Sequence, residues 1–208
     1  MTHRNLLFDL DGTLVDSTPL HEWAYRQALQ EYAPELLERF DYSSIAGWTT
    51  LHAFQQLGVA EPVDRVVKRK QALYREAVHA GRLEAFPGAR EGLAAAARAG
   101  HRLYLVTSAS RAGAEVALAR SELSSFFEGT VTADDCQQGK PNPEPYLLCL
   151  SRYQLSAAES LAVEDSDGGA SAARAAGLQV ARVHSPGVPD NHLTLHQLFD
   201  SLLGRRSA

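Results

Sequence analysis

The chain has 208 residues, 45 % of them hydrophobic, with a formal net charge of −5 and a pI near 5.9. That length supports one substantial core, or a core with a small inserted domain, and the acidic balance excludes an electrostatic nucleic-acid binder. No apolar run reaches the roughly 20 residues that span a bilayer, and two cysteines, Cys136 and Cys149, make no disulfide framework. The opening "MTHRN" runs straight into a strand-like segment with acids behind it, unlike a signal peptide. Free thiols and the missing leader predict a cytoplasmic protein, a monomer or weak homodimer, with no nucleic-acid or membrane partner.

In chain order, the first apolar run is Leu6–Leu10, followed at once by "DLDGTLVDS". Helical patterns then follow one another over Leu20–Tyr32, Glu35–Phe40, Thr49–Leu57 and Val63–His79, without a convincing strand between them. "AFPGA", Ala85–Ala89, carries the breakers Pro87 and Gly88 and reads as a return hinge. Strands and helices then alternate. A helix over Arg90–Ala99 stops at Gly100 and precedes a strand over Leu103–Thr107. A helix over Arg111–Phe126 precedes a strand over Thr130–Thr132. In "NPEPYLLCLSRY", Asn142 fits an N-cap and Pro143 the first helical position. A strand over Leu161–Glu164, a helix over Gly169–Ala176 closed by Gly177, and a strand over Gln179–Val183 come next. "HSPGVPDNHL" reads as a loop before a last helix over Leu195–Leu203.

This alternation predicts an α/β fold: a Rossmann-like parallel sheet with helices on both faces, plus a small inserted helical domain. The expected division is a core of residues 1–15 and 86–208 and a helical segment of residues 16–85. Ligands on such sheets bind at the carboxyl ends of the strands, and the polar residues gather there. Strand one ends in Asp9 and Asp11, strand two in Thr107, Ser108 and Ser110. Lys140 follows strand three, and strand four ends in Glu164, Asp165 and Asp167. Converging carboxylates repel one another and do not all stay ionised. A hard divalent cation such as Mg²⁺, which takes oxygen ligands and a substrate phosphate, resolves this. Lys140 would counter phosphate charge, and hydroxyls with free backbone N–H groups would hold its oxygens. The chemistry that fits is phosphoryl transfer to a carboxylate nucleophile.

"DLDGTLVDS", the hydroxyls closing "LYLVTSAS", the lysine of "GKPNPEPY" and the acids of "VEDSDGG" together resemble the haloacid dehalogenase superfamily, in the branch with a helical cap after the first strand. The resemblance runs over essentially the whole chain. It implies Asp9 as the nucleophile, Asp11 as general acid then base, and Ser108 or Thr107 as the phosphate-binding hydroxyl. It further implies Lys140 on the phosphate and nucleophile, and a metal held by Asp9, Asp165, the main chain of Asp11, and Glu164 through water. The second aspartate separates phosphate chemistry from dehalogenation, whose enzymes lack it. Glu144 stands where the family often has Asp.

Two cap residues are candidates on the substrate side. Lys70 shares a helical stripe with Val63, Val66, Val67, Leu73, Tyr74, Ala77 and Val78. A lysine on such a stripe either snorkels at its margin or points at the substrate. The chain has only three lysines, Lys68, Lys70 and Lys140, and otherwise uses Arg. Trp48 follows Gly47 in the cap; tryptophans there more often pack than touch ligand. Sugar-phosphate mutases of this branch carry an Arg soon after that glycine, and this chain reads Trp48-Thr49-Thr50 instead. A small-metabolite phosphatase is therefore expected, ahead of a phosphosugar mutase and of a non-catalytic metal-binding regulator.

Overall fold

The computed structural model describes residues 3–60, 62–183 and 193–204. Five strands form one parallel sheet: β1 (Asn5–Phe8), β2 (Arg102–Val106), β3 (Gly129–Val131), β4 (Ser160–Glu164) and β5 (Gln179–Arg182), in the order β3-β2-β1-β4-β5. β1 lies in the middle, with Leu7 opposite Tyr104 on one side and Ala162 on the other. Because successive side chains of a strand point to opposite faces, the short apolar runs supply two cores. Leu6, Phe8, Leu103, Leu105, Leu161 and Val163 face α4 (Ala89–Arg98), α5 (Arg111–Arg120) and α8 (Leu195–Leu202). Leu7, Tyr104, Val106, Val131 and Ala162 face α6 (Glu144–Arg152) and α7 (Asp167–Ala175). This is the doubly covered parallel sheet expected from the sequence.

The segment after β1 is helical: α1 (Thr18–Tyr32), 3₁₀ turns over Pro34–Arg39 and Tyr42–Ile45, α2 (Thr50–Leu57) and α3 (Val63–His79). Its entry and exit run side by side. Val15 bridges Ala85, Asp16 N–H donates to Glu84 O, and Phe86 N–H donates to Leu14 O. Both connections between sheet and helices thus meet at one narrow crossing.

Several elements differ from expectation. Residues 35–40, read as a helix, are a 3₁₀ turn, and a second such turn over Tyr42–Ile45 went unread. The helix expected to Phe126 stops at Arg120, where Glu122 adopts a left-handed φ of 56°. Helix α6 starts at Glu144, with Pro143 rather than Asn142 at the N-cap; Asn142 Oδ1 still accepts from Glu144 N–H at 2.9 Å. Helix α7 starts at Asp167 rather than Gly169, with Ser166 at the N-cap accepting from Gly169 N–H at 3.1 Å. β1 stops at Phe8 rather than Leu10 because the chain folds into a turn there, in which Leu14 and Val15 N–H donate to Leu10 O. Up to residue 192, the loop expected over 184–193 lies outside the described residues.

Candidate active site

The strand order reverses between β1 and β4, where a doubly wound sheet opens a crevice at its carboxyl edge. Asp9 follows β1 there, and its amide still pairs with Val163 O of β4 at 3.0 Å. The turn after it brings Asp11, Gly12 and Thr13 back over Asp165. Gly12 has a φ of +83°, and a Cβ there would lie 2.2 Å from Asp165 Oδ2. Glycine is required on both counts. Thr13 Oγ1 donates to the other oxygen of Asp165 at 3.2 Å.

Lys140 is buried beneath these acids. Its Nζ donates to Asp9 Oδ1 at 2.7 Å, Glu164 Oε1 at 2.5 Å and Val106 O at 2.8 Å. An ammonium has three N–H groups, and all three have protein acceptors here. In this arrangement Lys140 positions Asp9 and neutralises Glu164, and it reaches a phosphate only by exchanging one of these partners. Glu164, fully buried, also accepts from Tyr146 Oη at 2.5 Å, and Ser166 Oγ lies 3.4 Å from its second oxygen. Burial lowers the ammonium's hold on its proton, but Asp9 and then Glu164 outweigh this and raise it.

Oxygens of Asp9, Glu164 and Asp165 all lie within 4.8 Å of one another. Burial, then the charge of Glu164, pushes Asp165 up to about 7, and burial in the same acidic surroundings lifts Asp9 well above the carboxylate range. Buried, mutually repelling carboxylate oxygens are what a hard divalent cation stabilises, so the donor set fits such a cation. Glu164 is already engaged by Lys140, Tyr146 and Ser166, which leaves Asp9 and Asp165 as the side chains placed to ligate directly. Arg182, at the end of β5, donates to Asp165 O at 2.5 Å and to Asp167 Oδ1 at 2.7 Å, fixing the chain that carries Asp165.

Asp11 points the other way, toward the helices. Its Oδ1 takes His21 Nε2 at 3.0 Å and Tyr74 Oη at 3.3 Å. Burial alone would raise Asp11, but His21, with Ser17 and Lys70 behind it, brings it down to about 2. His21 Nδ1 lies 2.6 Å from Lys70 Nζ, and the ring stacks on Tyr74 at 4.2 Å. Lys70 is buried over the Tyr25 ring at 4.5 Å, and burial lowers it to about 7. Burial and then Lys70 also lower His21. A neutral imidazole donating to Asp11 through Nε2 and accepting from Lys70 through Nδ1 satisfies every contact.

Thr107 and Ser108 both line the pocket beside Asp9. Thr107 Oγ1 accepts from Ala109 N–H at 3.0 Å, while Ser108 Oγ donates to Gly47 O at 2.8 Å, across to the helical segment. Gly47 has a φ of +81°, and a Cβ there would come within 2.7 Å of Ser166 Oγ. Trp48 and Lys70 line the same pocket from the helical side. Its volume is about 60 Å³. Ser110 caps α5.

All nine candidates from the sequence therefore gather at one place. Sequence reasoning missed His21, Tyr74, Tyr146 and Arg182. A signal for His21 existed, because it falls on the buried stripe of α1 with Ala24, Tyr25 and Ala28. A histidine there needs a polar partner.

The family model for haloacid dehalogenase-like hydrolase matches residues 6–183. The phosphoglycolate phosphatase of Cupriavidus necator is 37% identical to the chain, over 95% of this chain and 89% of that protein. Hexitol phosphatase A of Escherichia coli is 35% identical, over 95% and 93% respectively. Among solved structures, CbbY of Rhodobacter sphaeroides in complex with phosphate superposes with a TM-score of 0.80, covering 94% of this chain and 96% of that one at 22% identity, a likeness of fold. With the signature aspartates at the end of the central strand and the family model spanning nearly the whole sheet, the chain belongs to the haloacid dehalogenase-like hydrolases.

Proposed function

We propose that the chain is a Mg²⁺-dependent phosphatase that hydrolyses a small phosphorylated metabolite through an aspartyl-phosphate on Asp9. The observation that carries this is the pair of aspartates two residues apart in one buried pocket with opposite environments. Asp9 is held by Lys140 beside Asp165, whereas Asp11 is held away from that cluster by His21. Environments that push two carboxylates apart assign them different tasks. That the two relatives described above are named phosphatases supports the same reaction class.

Asp9 and Asp165, with the main chain of Asp11, would hold Mg²⁺, which neutralises phosphoryl charge when bound. Ser108 and backbone N–H groups of the 107–110 turn receive phosphoryl oxygens. An Asp9 carboxylate oxygen attacks phosphorus, the P–O bond to the leaving group breaks, and Asp11 delivers the proton the leaving oxygen needs. Lys70 and His21 form the chain of hydrogen bonds along which Asp11 regains or releases that proton. Asp11, returned to its anionic form, then takes a proton from water as the water attacks phosphorus, freeing Asp9 and inorganic phosphate. Residues 16–85 serve as a cap over the 1–15 and 86–208 core. The small closed pocket means that substrate enters as the cap swings on the paired 14–16 and 84–86 segments.

A phosphatase is favoured over a mutase because no arginine lines the pocket among the described residues. A second phosphate, which a mutase must hold, has no guanidinium to pair with there. The test is release of inorganic phosphate from a generic aryl phosphate by purified protein with Mg²⁺ and with chelator. Release that is equal in both, or unaffected by Asp9→Asn, refutes the proposal.

A further inference from the structure

Tyr74 borders not the catalytic pocket but a small cavity next to it, of about 20 Å³, which it lines with His21, Lys70, Gln71, Ser110 and Gly113. It is buried, and it stands four residues after Lys70 on α3, so the two share a helix face. From there it meets each member of the array that ends at Asp11. Its ring lies flat on the His21 imidazole, with centroids 4.2 Å apart and planes 7° apart. Lys70 Nζ is 5.6 Å from the same ring centre. Its hydroxyl donates to Asp11 Oδ1 at 3.3 Å, the oxygen that His21 Nε2 also holds at 3.0 Å. The ring abuts Gly113 of α5 as well, where a Cβ would sit 4.0 Å from Tyr74 Cε1.

The hydrogen bonds at Nδ1 and Nε2 of His21 both lie in the plane of the imidazole. They fix where its edge points but leave the ring free to tilt about the line that joins them. A ring stacked on its face removes that tilt, and helix α5 in turn keeps the Tyr74 ring in place. Tyr42 is also parallel to the imidazole, but at 6.4 Å it bears on it less closely. His21 Nε2 and Tyr74 Oη together steady the carboxylate that Asp11 becomes when it gives up a proton. Both converge on Oδ1, and neither of them engages Oδ2.

Resting on the phosphatase reading above, we propose that Tyr74 is a positioning residue for the Asp11 acid: it aims His21 at Oδ1, so that Oδ2 is the oxygen from which the proton passes to the leaving group. In that step the P–O bond breaks and its electron pair stays on the leaving oxygen. That oxygen takes the proton from Oδ2, and Asp11 is left as a carboxylate bonded to His21 and Tyr74. A leaving group that departs readily as an anion does not need this proton, whereas a poor one does. Damage at Tyr74 therefore scales with the need of the leaving group.

The experiment compares two esters of similar shape on purified protein with Mg²⁺: phenyl phosphate, with a poor leaving group, and 2,4-dinitrophenyl phosphate, with a good one. The quantity read is kcat/KM, which covers the steps up to departure of the leaving group and so omits the later attack of water. Tyr74→Leu removes the stacked ring and should lower kcat/KM for phenyl phosphate by about tenfold or more, and for the dinitrophenyl ester by less than about twofold. Tyr74→Phe keeps the ring and loses only the longer hydrogen bond, so a loss of about threefold, on phenyl phosphate alone, is expected. In an Asp11→Asn background, Tyr74→Leu should add no further loss on phenyl phosphate, because the two act as one unit. Equal losses on both esters in either variant mean damaged packing and overturn the proposal, as does no loss on either. A loss in Tyr74→Phe as large as in Tyr74→Leu overturns the role given to the ring. The phosphatase reading fails separately, if wild type releases phosphate from neither ester or if Asp11→Asn itself does not discriminate between them.

Discussion

Asp165→Asn should make the metal-free protein more stable while removing its response to Mg²⁺. Burial and the neighbouring Glu164 push Asp165 from 3.8 up to about 7. An acid whose pKa is raised on folding binds more protons in the native state between those values. Its contribution therefore favours the fold as pH falls from about 7 toward 4 and opposes it above 7. At about 1.4 kcal/mol per unit, the roughly three units make ionised Asp165 a burden of about 4 kcal/mol at pH 8. Asparagine keeps an oxygen for Thr13 Oγ1, but Asp9 and Glu164 stay crowded. We therefore expect a net gain of about 2 kcal/mol, or roughly 4–8 °C in Tm for a chain of this length. The assay is thermal unfolding at pH 8 and pH 5 in chelator, then with Mg²⁺. Wild type should gain stability from pH 8 to pH 5 beyond what the variant gains. It should also rise by about 2.7 kcal/mol when Mg²⁺ reaches a hundred times its Kd, and the variant should not. A variant no more stable than wild type in chelator at pH 8, or stabilised equally by Mg²⁺, refutes the reasoning.

Asp9→Asn keeps an acceptor for Lys140 but loses the nucleophile, so phosphate release should fall by about 10⁴ or more, and retention above about 1 % would sink the assignment. Asp11→Asn should cut turnover by roughly 10²–10⁴ while the Mg²⁺-induced rise in Tm stays as in wild type; a lost rise would make Asp11 a side-chain ligand instead. Tyr146→Phe removes a hydrogen bond to the buried Glu164 carboxylate, for an expected loss of about 2 kcal/mol by denaturant unfolding, and a change near zero would show that Lys140 alone satisfies that oxygen. Arg182→Ala frees the carbonyl of Asp165 and should weaken Mg²⁺ binding by about tenfold in calorimetry, with substrate KM at saturating Mg²⁺ unchanged; unaltered affinity would leave Arg182 a purely structural residue.

The legible part of the site is the part that the covalent chain itself arranges. A parallel sheet delivers whatever follows each strand to one edge, so Asp9, Asp11, Thr107, Ser108, Lys140, Glu164 and Asp165 could be read from position alone. Contacts that join residues distant in sequence could not be read. His21 meets Lys70 across 49 positions and Tyr146 meets Glu164 across 18, and neither pairing leaves a local pattern. Between Thr107 and Ser108 the sequence left the choice open, since neighbours on an extended chain point apart. The fold gives Thr107 to its own turn and Ser108 to the carbonyl of Gly47 in the helical segment. Short 3₁₀ turns were lost for another reason, because the six residues of Pro34–Arg39 and the four of Tyr42–Ile45 carry too little periodicity to separate from a helix or a loop.

The scarcity of lysine was the least local signal, and the structure gives it a physical meaning. Of the three lysines, Lys68 is exposed, while Lys70 and Lys140 are each only 3 % exposed beside the pocket. At Lys140 the acceptors are a carboxylate on β1's end, a carboxylate on β4's end and a carbonyl on β2's end. They surround a single point, which suits a compact ammonium that can aim its N–H groups in three directions. A planar guanidinium presents its donors outward in one plane and is larger than that space. Lys140→Arg should therefore fail to restore what Lys140→Ala loses, although both arginine and lysine are cations. Activity of Lys140→Arg near that of wild type would show that charge alone, and not the three-way geometry, is what the site requires.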